Sequence, residues 1–183
     1  TLILKTKMKN FILLFITFLF IGCASTGVQV TFDDEKSNTI REHLQYYVDG
    51  DMDSLMALAA DNAEIYINSE ESISPDEIRP LLEAQHSTFD PITISWSQEK
   101  GGEDIGVWVE STNYPAGPAN EAANVTQAWF TWHGTSKLTG ETISVPAHIV
   151  YVWNTEGKIE TEYQFFDSVN INAAIEAYMA ASE

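Results

Sequence analysis

Hydrophobic periodicity divides the chain into a helical first half and a strand-rich second half. Ile40, Leu44 and Tyr47 recur at i, i+4 and i+7, the spacing of one face of an amphipathic helix. Thr39 and Glu42 form a T-x-x-E capping box at its start, and Gly50 stops it after about Val48. Asp51 caps a second, shorter helix that buries Leu55 and Leu58. Asn62 to Asn68 then alternates as a strand, with Ile65 and Ile67 on one face and Glu64, Tyr66 and Asn68 on the other. Ser74-Pro75-Asp76-Glu77 is the strongest local signal: Ser at the N-cap, Pro at N1, and Glu reaching back from N3. The helix it opens is expected to run to about Ser87, with Ile78, Leu81, Leu82 and Gln85 near the core face. Pro80 is expected to kink or shorten it.

From Pro91 onward the period falls to two. ITISWSQ and IGVWVES alternate and are separated by EKGGED, a glycine-containing turn, and Asn113 to Asn124 is a Pro/Gly/Asn loop. Val125 to Lys137 and Thr142 to Trp153 form a long hairpin around LTGE, and NTEG turns the chain into a last strand, Lys158 to Asp167. A short helix from about Ile171 to Ala181 closes the chain. Helices first and a mostly antiparallel sheet afterwards make an α+β fold. A bent sheet roofed on one side by about three N-terminal helices leaves a cone, whose open end is a natural ligand cleft.

The amino terminus has a different logic. Lys5, Lys7 and Lys9 flank Met8, and Phe11 to Ile21 is apolar except for Thr17, too short for the ~20-residue helix that spans a bilayer. A basic, apolar, small-residue order ending at Gly22 and Cys23 reads as a secretory signal that begins at Met8. FIGC, Phe20 to Cys23, resembles the lipobox of bacterial lipoproteins, with Phe20 where Leu is usual. The resemblance implies that residues 1–22 are a signal peptide and that Cys23 is lipidated. Residues 23–36, with one edge strand expected at Val28 to Phe32, then tether a domain of residues 37–183 to the membrane of a bacterial cell envelope. An ordinary signal peptide with an incidental Cys23 is the alternative. With one cysteine in the chain, no intrachain disulfide is expected.

Charge narrows the partners. The net charge is −18, and the leader holds lysines without acids, so cleavage leaves a still more acidic chain. That balance excludes nucleic acid, whose phosphates demand a basic footprint. It also excludes a polybasic grip on anionic lipid, leaving acyl chains as the membrane attachment. A solvated acidic surface that keeps the protein soluble accounts for the rest.

The order helix, DGDMDSLMALAADNAEIYI, capped helix, hairpin and EGKIETEYQFFD resembles the SnoaL-like and ketosteroid-isomerase-like families of the nuclear transport factor 2-like superfamily, over about Asn38 to Ala174. The resemblance implies a cone-shaped, curved antiparallel sheet packed on N-terminal helices. Its members include isomerases, polyketide cyclases, dehydratases and proteins without catalysis, so fold analogy does not assign a reaction. The tyrosine that such isomerases carry on the first helix corresponds here to His43. Their general-base aspartate corresponds to Ile67, and their second acid to His148 or Ile149. The steroid-type dyad is missing. Pocket-facing positions of the last strand correspond to Glu162, Gln164 and Phe166, and Tyr47, Tyr66, Asn68 and Asp167 complete the expected pocket.

Glu162, Gln164 and Phe166 share one strand face by period two. If that face lines the cone, burial would raise the pKa of Glu162 and suit it to general-base duty. Otherwise Tyr163 and Phe165 point to the core and the polar trio is solvated. His148 on the neighbouring strand is the candidate partner of Glu162 in acid/base work, with a buried structural histidine as the alternative. Asp167 suits a turn or cap as well as ligand contact. His43, His86, His133 and His148 show no metal-ligand spacing, no cofactor-binding loop is present, and neither metal nor cofactor is expected. Trp96, Trp108, Trp129, Trp132 and Trp153 all fall on strands. Three readings follow: an envelope lipoprotein binding a small, mostly apolar molecule; an isomerase, cyclase or dehydratase using Glu162 and His148; or a module that homodimerises through its sheet.

Overall fold

The structure, a computed structural model, describes residues 27–96 and 107–182. The leader, Cys23 and the turn expected at Glu99 to Asp104 lie outside the described residues. A short edge strand, β1 (Gln29–Thr31), is followed by helix α1 (Glu35–Asp49). This helix begins a turn earlier than the periodicity predicts. The Asp34 carboxylate accepts from the Ser37 backbone N–H at 2.8 Å, and Ser37 Oγ accepts from the Asp34 N–H at 2.9 Å, a reciprocal cap. Thr39 lies inside the helix, its hydroxyl donating to the Glu35 carbonyl, because an Asp-Ser pair upstream satisfies the orphan N–H groups first. The edge strand expected at Val28 to Phe32 is β1, while Glu35 and Lys36, expected as tether, belong to the first turn of α1. Gly50 closes the helix in the left-handed region at φ 74°, which a glycine adopts without strain.

Asp51 caps α2 (Met52–Met56), which buries Met52 and Leu55, while Leu58 lies past its end and is half-buried. Strands β2 (Ala59–Ile67) and β3 (Ser72–Ile73) lead to α3 (Pro75–Thr88), with the expected Ser74–Glu77 capping box at its start. Pro80 does not shorten α3. Both Pro80 and Asp76, whose carbonyl loses its intrahelical donor, are on the solvent-exposed side, where an unmade backbone bond costs least. Ile78 is buried, and Leu82 and Gln85 face inward, but Leu81 is exposed, the width of the apolar stripe being narrower than predicted.

Strands β4 (Phe89–Ser95), β5 (Trp108–Tyr114), β6 (Ala123–Ser136), β7 (Thr142–Trp153) and β8 (Ile159–Phe166) follow, and α4 (Val169–Ser182) ends the described chain. The sheet order is β1-β5-β6-β7-β8-β2-β3. The β4 and β5 strands do not form a hairpin. Each pairs with β6, β5 along Ala123 to Trp129 and β4 along Thr131 to Ser136, so they lie end to end on one edge. The expected β6–β7 hairpin is present. The sheet is mixed rather than antiparallel throughout, because β2 pairs parallel to β8. Six other elements separate these two strands in sequence, a crossover that local patterning does not encode.

Alternation fixes which side chains enter the core. On β6 the even-numbered positions from Thr126 to Ser136 are buried, and on β7 the buried ones are Val145, Ile149, Tyr151 and Trp153. They pack against Ile40, Leu44 and Tyr47 of α1, with Met52 and Leu55 of α2 and Ile171 of α4 closing the same cluster. The helices cover only the concave side of the curved, open sheet, so the fold is an α+β cone.

Candidate functional site

A cavity of about 100 Å³ lies between the concave sheet and the helices. Its walls are mostly apolar, with Leu44, Leu55, Phe130, Val145 and Ile149 among them. Its polar groups are few: His43, Tyr47, Gln85, Tyr151, Glu162 and Gln164. Glu162 comes from the centre of β8, flanked by Tyr151 of β7 and Ile65 of β2, and this interior position under the helices leaves it 9% exposed. Gln164, two residues on and on the same face, donates its amide to Glu162 Oε1 at 2.6 Å. Burial in apolar surroundings outweighs that hydrogen bond and raises the carboxyl pKa to about 7.

Two aromatic hydroxyls bound the cavity differently. Tyr47 Oη accepts from Trp132 Nε1 at 2.8 Å and donates to Gln85 Oε1 at 2.5 Å, a chain linking α1, β6 and α3. Among the described residues the Tyr151 hydroxyl has no hydrogen-bond partner, and burial and the nearby Glu162 raise its pKa, keeping it protonated. His43 is buried edge-on against Tyr151, ring centroids 5.7 Å apart, and its Nδ1 has no partner. Burial lowers its pKa to about 4, so the imidazole is neutral.

His43, Tyr47, Glu162, Gln164 and Phe166 thus share the cavity. The other sequence candidates do not. His148 points from β7 to the outer face, stacked on Trp129 with ring centroids 4.5 Å apart and hydrogen-bonded to Gln127 Oε1 at 3.1 Å. Its register partner is Phe165 rather than Gln164, and a one-residue offset on a strand reverses the face, so it forms no pair with Glu162. Tyr66 is also outside, stacked on Tyr163 at 5.0 Å. Asn68 instead clamps the β2–β8 rim: its amide donates to the Phe166 carbonyl at 2.7 Å, and its side-chain oxygen accepts from the Phe166 N–H at 3.1 Å. Asp167 accepts from the Val169 N–H at 3.0 Å, a turn role at the entry to α4. Sequence patterning does not mark out Tyr151, nor does it distinguish Trp132 from the other four strand tryptophans. The alternation of β7 and β6 placed each on a face, but nothing in it tells which face meets the helices. Among the described residues no cluster of His, Cys, Asp and Glu could hold a metal ion.

No protein-family model and no curated protein matches the sequence. Solved structures do match. A Bacillus subtilis protein provisionally described as an isomerase shares 17% identity over 78% of this chain and 94% of its own, with a TM-score of 0.53. A Shewanella putrefaciens protein provisionally described as a SnoaL-like polyketide cyclase shares 10% identity over 79% of this chain and 88% of its own, with a TM-score of 0.52. A Catenulispora acidiphila protein with a ketosteroid isomerase-like fold, solved in complex with trimethylamine, shares 10% identity over 75% of this chain and 91% of its own, with a TM-score of 0.50. The chain therefore has the nuclear transport factor 2-like fold, the architecture of SnoaL-like and ketosteroid isomerase-like proteins.

Proposed function

We propose that this domain binds a small, largely apolar molecule in the cavity of the cone. One observation carries the reading: an apolar hollow under the helices receives, from a single strand, a carboxyl and an amide that are hydrogen-bonded to each other. Few convergent polar groups in an apolar enclosure is the usual make-up of a small-molecule site. That a protein of this fold was solved with trimethylamine bound supports a ligand of small size. Acid/base chemistry by Glu162 with His148 is set aside, because the two occupy opposite faces. Native mass spectrometry of the purified chain, before and after mild denaturation, tests the reading: a co-purifying small molecule released on unfolding supports it. Failure to bind any of a panel of small apolar probes overturns it.

The address proposed for the domain is the bacterial envelope, with Cys23 carrying the lipid. The support is the leader pattern from Lys5 to Cys23 and the acidic chain that follows it. Metabolic labelling with a fatty acid tests this: label in the wild type and none in C23S is the expected result, and equal label in both overturns it.

A second reading, self-association through the outer sheet face, has its own observation. Trp108, Trp129, His148 and Phe165 are successive register partners across β5, β6, β7 and β8, an aromatic row on the side the helices leave uncovered. Phe165, at the end of this row, is 51% exposed, and contiguous exposed apolar surface is what marks an interaction site. Sedimentation velocity should show a dimer in the wild type and a monomer in F165E; a monomeric wild type rejects the reading.

A further inference from the structure

Glu162 lacks the partner that a buried carboxylate requires. Its one hydrogen bond is from the neutral amide of Gln164, and among the described residues it has no ion pair. No lysine or arginine lines the cavity. Of the titratable groups that face it, His43 and Tyr47 from α1 and Tyr151 from β7, none is positively charged: the histidine is neutral and the tyrosines are protonated. The neighbouring helices and strands contribute only neutral groups such as Gln85 and Trp132. A buried charge left without a counter-charge is costly, and here every wall that could supply one is apolar or neutral. Aromatic rings of Tyr47, Phe130, Trp132, Tyr151 and Phe166 surround the same space, and ring faces attract cations.

Resting on the cavity reading above, we infer that the ligand is a small protonated amine whose ammonium group pairs with the Glu162 carboxylate while its carbon skeleton fills the aromatic hollow. The pair is a charge-assisted hydrogen bond in a dry site. An anionic ligand finds no positive group there. A neutral alcohol or ketone leaves the carboxylate uncompensated and binds only when Glu162 has taken up a proton. A cavity of about 100 Å³ sets the size, since an apolar cavity of about 150 Å³ accepts benzene. Two-thirds of that volume leaves room for about four non-hydrogen atoms, a skeleton of isopropyl size.

Calorimetric titration of the purified chain with isopropylamine, propan-2-ol and acetone tests this. At about pH 8 the amine should bind about tenfold or more tightly than either neutral analogue. Its affinity should rise between about pH 6 and about pH 8 as Glu162 loses its proton, while that of the ketone falls. His43 titrates near 4, below this range, and does not contribute to the change. E162Q should lose the preference for the amine and, at about pH 8, bind propan-2-ol as tightly as the wild type does at about pH 6. The inference is overturned if the neutral analogues bind as well as the amine, or if amine affinity does not rise with pH in the wild type; the cavity reading then stands. If none of the three binds, both fail.

Discussion

Glu162 and His148 sit on adjacent strands of one sheet and face opposite ways. The register pairs Tyr151 with Glu162 and Phe165 with His148, so each residue shares its face with its opposite number and not with the other. Inside the cone the carboxyl meets the tyrosine. Outside, the imidazole stacks in an aromatic row, held to Gln127.

This opposition predicts different outcomes for neighbouring substitutions. At about pH 6, H148N should leave the affinity for propan-2-ol within about twofold of wild type, since changes at sites without shared partners act independently. Ala147, one residue earlier, lines the cavity, and A147F should reduce that affinity at least about tenfold by occupying the ligand volume. Calorimetry on the two variants decides between this geometry and one in which His148 reaches the ligand.

Stability should depend on pH through Glu162. Its pKa is about 7 in the fold against 4.5 for an unperturbed glutamate. Between these values the folded chain keeps a proton that the unfolded chain has lost, so stability falls as pH rises through the window and levels off above about 7. E162Q removes this slope and should be more stable than wild type above about pH 7, by up to about 3 kcal/mol. His43 acts in the opposite sense. With a pKa of about 4 in the fold against 6.5 unperturbed, it makes stability fall as pH drops through that interval, and this acid-side loss should persist in E162Q. Urea denaturation across a pH series measures both slopes.

Tyr47→Phe keeps the ring and removes the hydroxyl that accepts from Trp132 and donates to Gln85. The indole N–H of Trp132, whose residue is 5% exposed, is then left without a partner. An orphaned buried donor costs about 1–3 kcal/mol, and the urea midpoint of Y47F should fall accordingly without a change in slope.

Gly134 is required by its neighbour. The Trp132 ring lies over the site where a side chain at 134 would begin, so a methyl group there overlaps the indole. G134A should displace Trp132, loosen its bond to Tyr47 and destabilise by about 1–3 kcal/mol. A fall in the thermal midpoint with altered tryptophan fluorescence would register it, and an unchanged spectrum would contradict the packing described.

The amino-acid sequence by itself determined the elements whose signals are local. The Ser74–Glu77 cap, the Gly50 stop, the β6–β7 hairpin and the spacing of Glu162, Gln164 and Phe166 along one strand face all depend on residues a few positions apart. The start of α1 differs from the periodic reading for the same local reason, since two candidate capping pairs lie five residues apart and the upstream one takes the orphan N–H groups first. What only the tertiary structure decided is non-local: that β2 docks parallel to β8, that β4 and β5 share an edge of β6, and that Glu162, Gln164 and Phe166 of β8 and the odd positions of β7 face the helices. Alternation assigns side chains to two faces without naming which is covered. The packing of α1, α2 and α4 supplies that choice, and with it Tyr151 enters the site and His148 leaves it.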